Sequence, residues 1–102
     1  MDQVFKALGD PTRRRILQLL RQREMSAGEL AGYFELSKPT LSGHFAVLRA
    51  ADLIASEKDG TTVIYRLNAS VLEEALLDFA QAFSFATRRK RPAARIRERT
   101  VG

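Results

Sequence analysis

Residues 26–48 read SAGELAGYFELSKPTLSGHFAVL. Two serines in this stretch, Ser26 and Ser37, each stand where a helix can begin. Ser26 is followed three residues later by Glu29, the spacing of a capping box. Ser37 can cap in the same way, and Pro39 is tolerable because it lies within the first turn that follows. Behind the first serine, Leu30, Ala31 and Phe34 point inward. Behind the second, Leu41, Phe45 and Leu48 repeat at i, i+4 and i+7, the stripe of a core-facing helix. Two short helices joined by about three residues make a helix-turn-helix candidate. With its apolar stripe facing inward, the second helix, Lys38 to Ala50, turns Lys38, Thr40, Ser42 and Gly43 outward, with His44 at the boundary. That face is small and polar. It suits contact with something polar and charged, and the plainer alternative is a helix face bathed in solvent.

The flanking sequence places this unit in a fold. Upstream, DPTRRRILQLLRQRE (10–24) opens with Asp10 as a cap and Pro11 at the first helical position. Ile16, Leu17, Leu19 and Leu20 supply its apolar face. Arg13, Arg14 and Arg15 lie in its first turns, where arginines are either solvated, paired structurally or set against phosphate. Downstream, LIASEKDGTTVIYRL (53–67) changes period. Leu53–Ile54 and Val63, Ile64, Tyr65 and Leu67 flank KDGT, in which Asp59–Gly60 signals a hairpin. SVLEEALLDFAQAFSFA (70–86) then closes the domain as a helix, with Ser70 as cap and Glu73 at the capping-box position. The order α-α-α-α-β-β-α describes a mainly helical protein with one small β-hairpin, a winged helix-turn-helix.

Composition narrows the function classes. At 102 residues the chain is one domain with room for one modest core, and 45% apolar residues suit a soluble globular fold. No apolar run approaches the roughly 18 residues of a membrane span, and MDQVFKALGD is too short and too polar for a signal peptide. Cysteine is absent, which excludes disulfides, thiolate metal sites and a cysteine nucleophile, and suits the cytosol. The net charge of +5 is unevenly placed. Residues 88–102, RRKRPAARIRERTVG, hold seven of the seventeen lysines and arginines against one of the twelve acids, which leaves ten bases and eleven acids in the other 87 residues. The expected organisation is therefore a folded domain over 1–87 followed by a flexible basic tail over 88–102. A basic isoelectric point earned by a tail says little about the folded body, so a case for DNA must come from the motif.

Three segments in order, FKALGDPTRRRILQLL, MSAGELAGYFELSKPTLSGHFAVLRAADLI and KDGTTVIYRLN, resemble the ArsR family of bacterial repressors, and most closely its SdpR-like, metal-independent branch. The resemblance covers residues 4 to 80 or so. It implies that the helix from Lys38 enters the major groove by its N-terminal half. Lys38 would reach guanine edges or phosphate, and Thr40 and Ser42 would meet base edges or phosphates at close approach. Pro39 belongs to the same first turn. Gly43 departs from the family pattern, which places histidine or another polar residue there. His44 would touch the DNA backbone or take a partly buried packing role. Lys58 and Thr61, at the wing tip, would position the protein on neighbouring phosphates, although relatives often carry arginine where Thr61 stands.

The family's metal motif needs two cysteines flanking one residue, and those positions read Ser26 and Gly28. The family's alternative site needs histidine in the last helix, which has none. No metal and no cofactor is expected, and no catalytic constellation supports an enzyme. The last helix carries Leu72, Leu76, Phe79 and Phe83 at 4-3-4 spacing with further apolar residues around it, more than one face of a small domain can cover. That points to a homodimer. The resemblance puts the first and last helices at its interface, Val4 and Phe5 from the one and Leu72, Leu76, Phe79 and Phe83 from the other. The expected function is a cytoplasmic, dimeric repressor on an inverted-repeat operator in double-stranded DNA, without membrane insertion, its signal undefined and open to an unidentified regulatory protein. The reading from a different class is a winged-helix module that binds protein rather than DNA.

Overall fold

The computed structural model describes residues 2–83. Its elements run α1 (Asp2–Leu8), α2 (Pro11–Gln22), β1 (Met25–Ser26), α3 (Ala27–Ala31), α4 (Lys38–Ala50), β2 (Ile54–Asp59), β3 (Thr62–Leu67) and α5 (Ala69–Ala82). They fall into two compact units, the first ending at Leu72 and the second beginning at Glu73. The basic segment 88–102, the expected domain boundary at 87 and residues 84–86 of the expected last helix lie outside the described residues.

In the first unit the helix starts form as their side chains dictate. The Asp10 carboxylate accepts the Arg13 N–H at 3.1 Å, with Pro11 in the first turn of α2. At α3 both halves of the capping box are made: Glu29 N–H donates to Ser26 Oγ at 3.0 Å, and Ser26 N–H donates to Glu29 Oε1 at 2.9 Å. Ser37 caps α4. The apolar stripes of these helices converge. Ile16, Leu30, Leu48 and Leu53 are fully buried, and Val4, Leu20, Met25, Leu41, Phe45 and Tyr65 surround them. Each fully buried aliphatic side chain contributes roughly 1.5–3 kcal/mol.

Three details differ from the sequence expectation. First, the sheet has three strands, in the order β1-β3-β2, all antiparallel. β1 is only Met25–Ser26, paired with Tyr65 and Ile64, and two residues carry no readable alternation. Second, α3 ends at Ala31 rather than running through Phe34. Gly32 favours termination, and the N–H groups of Gly32, Tyr33 and Phe34 donate three residues back, to Glu29, Leu30 and Ala31, closing the helix tightly. The connection to α4 is therefore residues 32–37. Third, α5 begins at Ala69, so Ser70 is inside its first turn and the Ser70–Glu73 box is not formed. Asn68 stands at the entrance instead. Its N–H donates to Leu53 O at 2.9 Å, its side-chain amide donates to Asp52 O at 2.9 Å, and its carbonyl accepts from Val71 N–H at 3.1 Å.

Two turns set the wing. After α4, Asp52 N–H donates to Arg49 O and Leu53 N–H to Leu48 O, with Asp52 at φ +59. This is a Schellman ending, and its apolar clasp is the fully buried pair Leu48 and Leu53. At the hairpin tip, Asp59 pairs with Thr62, leaving Gly60 and Thr61 as the two loop residues. Gly60 takes φ +67, so the glycine comes first in the loop and Asp59 ends the strand before it.

The second unit holds α5 from Glu73 onward. Leu76, Leu77, Phe79 and Phe83 are 40–54% exposed, and the Phe79 and Phe83 rings sit 4.9 Å apart.

Candidate nucleic-acid interface

Helix α4 is two-faced. Leu41, Phe45 and Leu48 are buried, while Lys38, Pro39, Thr40, Ser42 and Gly43 are exposed along its N-terminal half. The five residues form one surface because the i, i+4, i+7 stripe commits the opposite side to the core. Its shape follows from its composition: short hydroxyl side chains, one glycine and one long ammonium. A Cβ built on Gly43 would meet nothing within 4 Å, so packing does not require glycine there.

The hydroxyls are partly organised. Ser37 Oγ accepts the Thr40 N–H at 3.3 Å and donates to Thr40 Oγ1 at 2.8 Å. The Thr40 hydroxyl is thus tied to the cap of its own helix. Ser37 was absent from the expected contact residues. Its capping role was legible, its hold on Thr40 was not.

His44 lies at the edge of this face with its side chain 17% exposed. Its Nδ1 is 3.2 Å from Arg13 Nη1 and 3.9 Å from Asp10 Oδ2. The arginine triplet divides by role. Arg13 donates from Nε to Ala7 O at 2.8 Å and from Nη2 to Lys6 O at 3.0 Å. Arg14 donates to Leu8 O at 2.7 Å. The two guanidinium groups therefore satisfy the Ala7 and Leu8 carbonyls at the end of α1, while Lys6 O accepts from both Arg13 and the Gly9 N–H. Arg15 is exposed. The Asp10 carboxyl is held below the usual range, chiefly by the Arg13 N–H at its cap, then by His44, the Thr12 N–H and the Arg13 charge.

The wing is nearly neutral. Lys58 and Thr61 are exposed, Lys58 pairs across the hairpin with Val63, and Glu57 and Asp59 flank Lys58. Glu57 also lies 3.8 Å from Arg66. A single ammonium set between two carboxylates can meet one phosphate but cannot build an electropositive ridge. Among the residues expected at a dimer interface, Val4 is 6% exposed, inside the core of the first unit, and Phe5 and Leu72 are half-buried. Leu76, Phe79 and Phe83 are exposed.

Ser26, at one of the two metal-motif positions, has its hydroxyl committed to the α3 cap, and Gly28 has no side chain to offer. Among the described residues no group of three or more histidines, cysteines or carboxylates could hold a metal ion, and no helix is long and apolar enough to cross a membrane.

Comparison with known proteins agrees with this geometry. Residues 10–56 match the family described as bacterial regulatory protein, arsR family. Over 76 residues the chain is 43% identical to the transcriptional repressor SdpR of Bacillus subtilis (strain 168), spanning 74% of this chain and 84% of that one. It is 39% identical over 70 residues to the arsenical resistance operon repressor of Staphylococcus xylosus, spanning 69% and 67% of the two chains. The solved ArsR-like transcriptional regulator from Rhodococcus sp. RHA1 superposes with a TM-score of 0.76 at 31% identity, covering 86% of this chain and 81% of the other. All three relatives are regulators of transcription, not enzymes.

Proposed function

We propose that this chain, which belongs to the arsR family of bacterial regulatory proteins, represses transcription as a cytoplasmic homodimer on an inverted-repeat operator, without a metal effector. It is a DNA-binding transcriptional regulator of the repressor type. The observation that carries the finer reading is the exposed face of α4, small and polar over Lys38, Pro39, Thr40, Ser42 and Gly43 while the opposite face is buried. A helix of this kind can lie against the floor of the major groove, because its leading half carries no acid and its one long side chain, Lys38, is a cation that phosphate and guanine edges attract. In this reading Lys38, Thr40 and Ser42 read bases, Gly43 permits close approach, His44 sits at the backbone, and Lys58 and Thr61 position the wing on phosphate.

Two half-sites need two copies of the chain. The apolar side chains Leu76, Leu77, Phe79 and Phe83, exposed in the single chain, offer the surface through which a second copy docks. Repression is then steric, a bound dimer denying polymerase a promoter, often its own. Metal independence rests on Ser26 and Gly28, which provide no soft ligand where thiolates would be needed.

The test has two parts. Light scattering at micromolar concentration should give the mass of a dimer, and Phe79→Asp should lower it. Genome-wide recovery of bound fragments should then yield a shared inverted repeat, with affinity unchanged by zinc, copper or nickel at fixed salt. A monomer, or fragments with no common half-site, overturns the reading. Absence of any salt-dependent DNA affinity would favour a protein-binding module in its place.

A further inference from the structure

The DNA-facing helix is tethered from behind by one guanidinium. Arg13, on α2, holds the Lys6 and Ala7 carbonyls of α1 with two of its nitrogens, and its Nη1 lies 3.2 Å from Nδ1 of His44 on α4. A guanidinium donates and cannot accept, so this contact is a hydrogen bond only when Nδ1 carries a lone pair. The imidazole is then neutral, with its proton on Nε2. The same Nδ1 stands 3.9 Å from Asp10 Oδ2, a contact that becomes attractive only when Nδ1 is protonated. The two neighbours therefore demand opposite protonation states of one atom. Neutral His44 bonds to Arg13; protonated His44 is repelled by Arg13 and drawn to Asp10.

We propose that His44 couples DNA binding to the uptake of a proton, with Asp10 and Arg13 as positioning residues that select its protonation state. The proposal rests on the reading of α4 as the groove helix. α4 packs on α1, α2 and β2, and through the Phe45–Tyr65 ring contact on β3, whose Tyr65 meets it with the ring. From α2 and its cap come Arg13 and Asp10, the charged groups that meet the imidazole ring. From α1 come the main-chain carbonyls that orient Arg13, and the Lys6 ammonium, which lies beside Val47 and Ala50 farther along α4. The charged residues of β2, Glu57, Lys58 and Asp59, make no hydrogen bond or ion pair with it among the described residues. Asp10 is available as the acceptor because the Arg13 N–H, above all, keeps its carboxyl ionised.

Duplex DNA carries about one negative charge per 1.7 Å of axis, and a helix lying in its groove brings His44 into that field. The field favours the imidazolium. Uptake of the proton then moves Nδ1 from Arg13 to Asp10 and adds one positive charge to the edge of the DNA-binding face. By linkage, DNA affinity rises as pH falls across the range in which histidine titrates, between about pH 5 and pH 8, by at most about tenfold per pH unit for one proton.

The chain contains one histidine, so imidazole nitrogen resonances report this group alone. In the free full-length protein at high pH they should show the proton on Nε2. Asp10→Asn keeps a competent helix cap and should lower the midpoint of the imidazole titration, whereas Arg13→Met should raise it. Fluorescence anisotropy with a labelled random-sequence duplex, at constant ionic strength from about pH 8 to pH 5.5, should show affinity climbing as pH falls. His44→Gln should flatten that climb, with circular dichroism confirming that each variant is folded. A proton on Nδ1 at high pH, midpoints unmoved in both variants, or a pH dependence that survives His44→Gln overturns the proposal. Duplex affinity constant across the range overturns it while leaving the groove reading intact, and failure to bind duplex at any pH overturns both.

Discussion

Phe45 and Tyr65 pack ring against ring, their centroids 4.5 Å apart and their planes tilted by 33°. Both are buried, and through this contact α4 is fastened to β3, the central strand of the sheet. The angle at which α4 presents its polar face thus depends on the wing. Truncating either ring leaves a cavity in a small core, so Phe45→Ala should lower unfolding stability by about 3–5 kcal/mol in urea denaturation. A double-mutant cycle of Phe45→Ala with Tyr65→Ala should return a coupling of about 0.5–1.5 kcal/mol. Strict additivity would mean that the rings touch without supporting one another.

Lys38, Thr40 and Ser42 are exposed, so alanine at each should leave the fold intact. Each lost base contact should cost roughly 1–3 kcal/mol of operator affinity and relax preference at one position. Competition binding between operator and random duplex measures this directly. If the triple alanine variant keeps the full ratio of specific to random affinity, these side chains do not read bases. Ser37→Ala should act differently, lowering helix stability by about 1 kcal/mol through the lost cap and freeing Thr40.

Gly43 occupies a helix interior with open space where its Cβ would be. Gly43→Ala should therefore raise stability by about 0.5–1 kcal/mol, read as a shift in the urea midpoint. Gly43→Leu should remain folded yet bind duplex more weakly, because the added side chain separates helix and groove. Unaltered duplex affinity in the leucine variant would place the DNA elsewhere.

Asp52 adopts φ +59 at the end of α4, a conformation that glycine takes without steric cost. Its two functions there are main-chain ones, an N–H to Arg49 and a carbonyl to Asn68. Asp52→Gly should hold or raise stability by up to about 1 kcal/mol, and Asp52→Val should lower it by at least that amount. In thermal melts the glycine variant should match or exceed the parent, and the valine variant should melt below it.

Asp10 and Glu29 are both held below the ordinary carboxyl range, Asp10 chiefly by the Arg13 N–H and Glu29 chiefly by the Ser26 N–H and then the Arg23 side chain. A carboxyl depressed in the folded state stabilises above its unfolded pKa, and that stability is lost as pH falls through the folded value. Urea midpoints should therefore be level near neutrality and fall below about pH 4. Asp10→Asn with Glu29→Gln should reduce the acid-dependent part of that fall. An identical acid profile in the double variant would assign the loss to other carboxyls.

Local sequence determined much of this protein because local chemistry decides helix starts and periodicity. Asp10 with Pro11, Ser26 with Glu29 and Ser37 with Pro39 each place a helix within a few residues of themselves, and α4 runs from Lys38 to Ala50 as its stripe requires. The small polar face of α4 was legible for the same reason: once Leu41, Phe45 and Leu48 are inside, the rest of the turn is outside. What tertiary structure alone decided are the contacts between residues far apart in the chain. β1 exists only because β3 arrives beside Met25 and Ser26. The start of α5 moved to Ala69 because Asn68 is anchored on Asp52 and Leu53, at the far end of α4. Arg13 and His44 are 31 residues apart, and no periodicity links them. Long polar side chains choose partners by distance and donor geometry after the backbone has packed, so their roles are written in the fold and not in the spacing of residues along the chain.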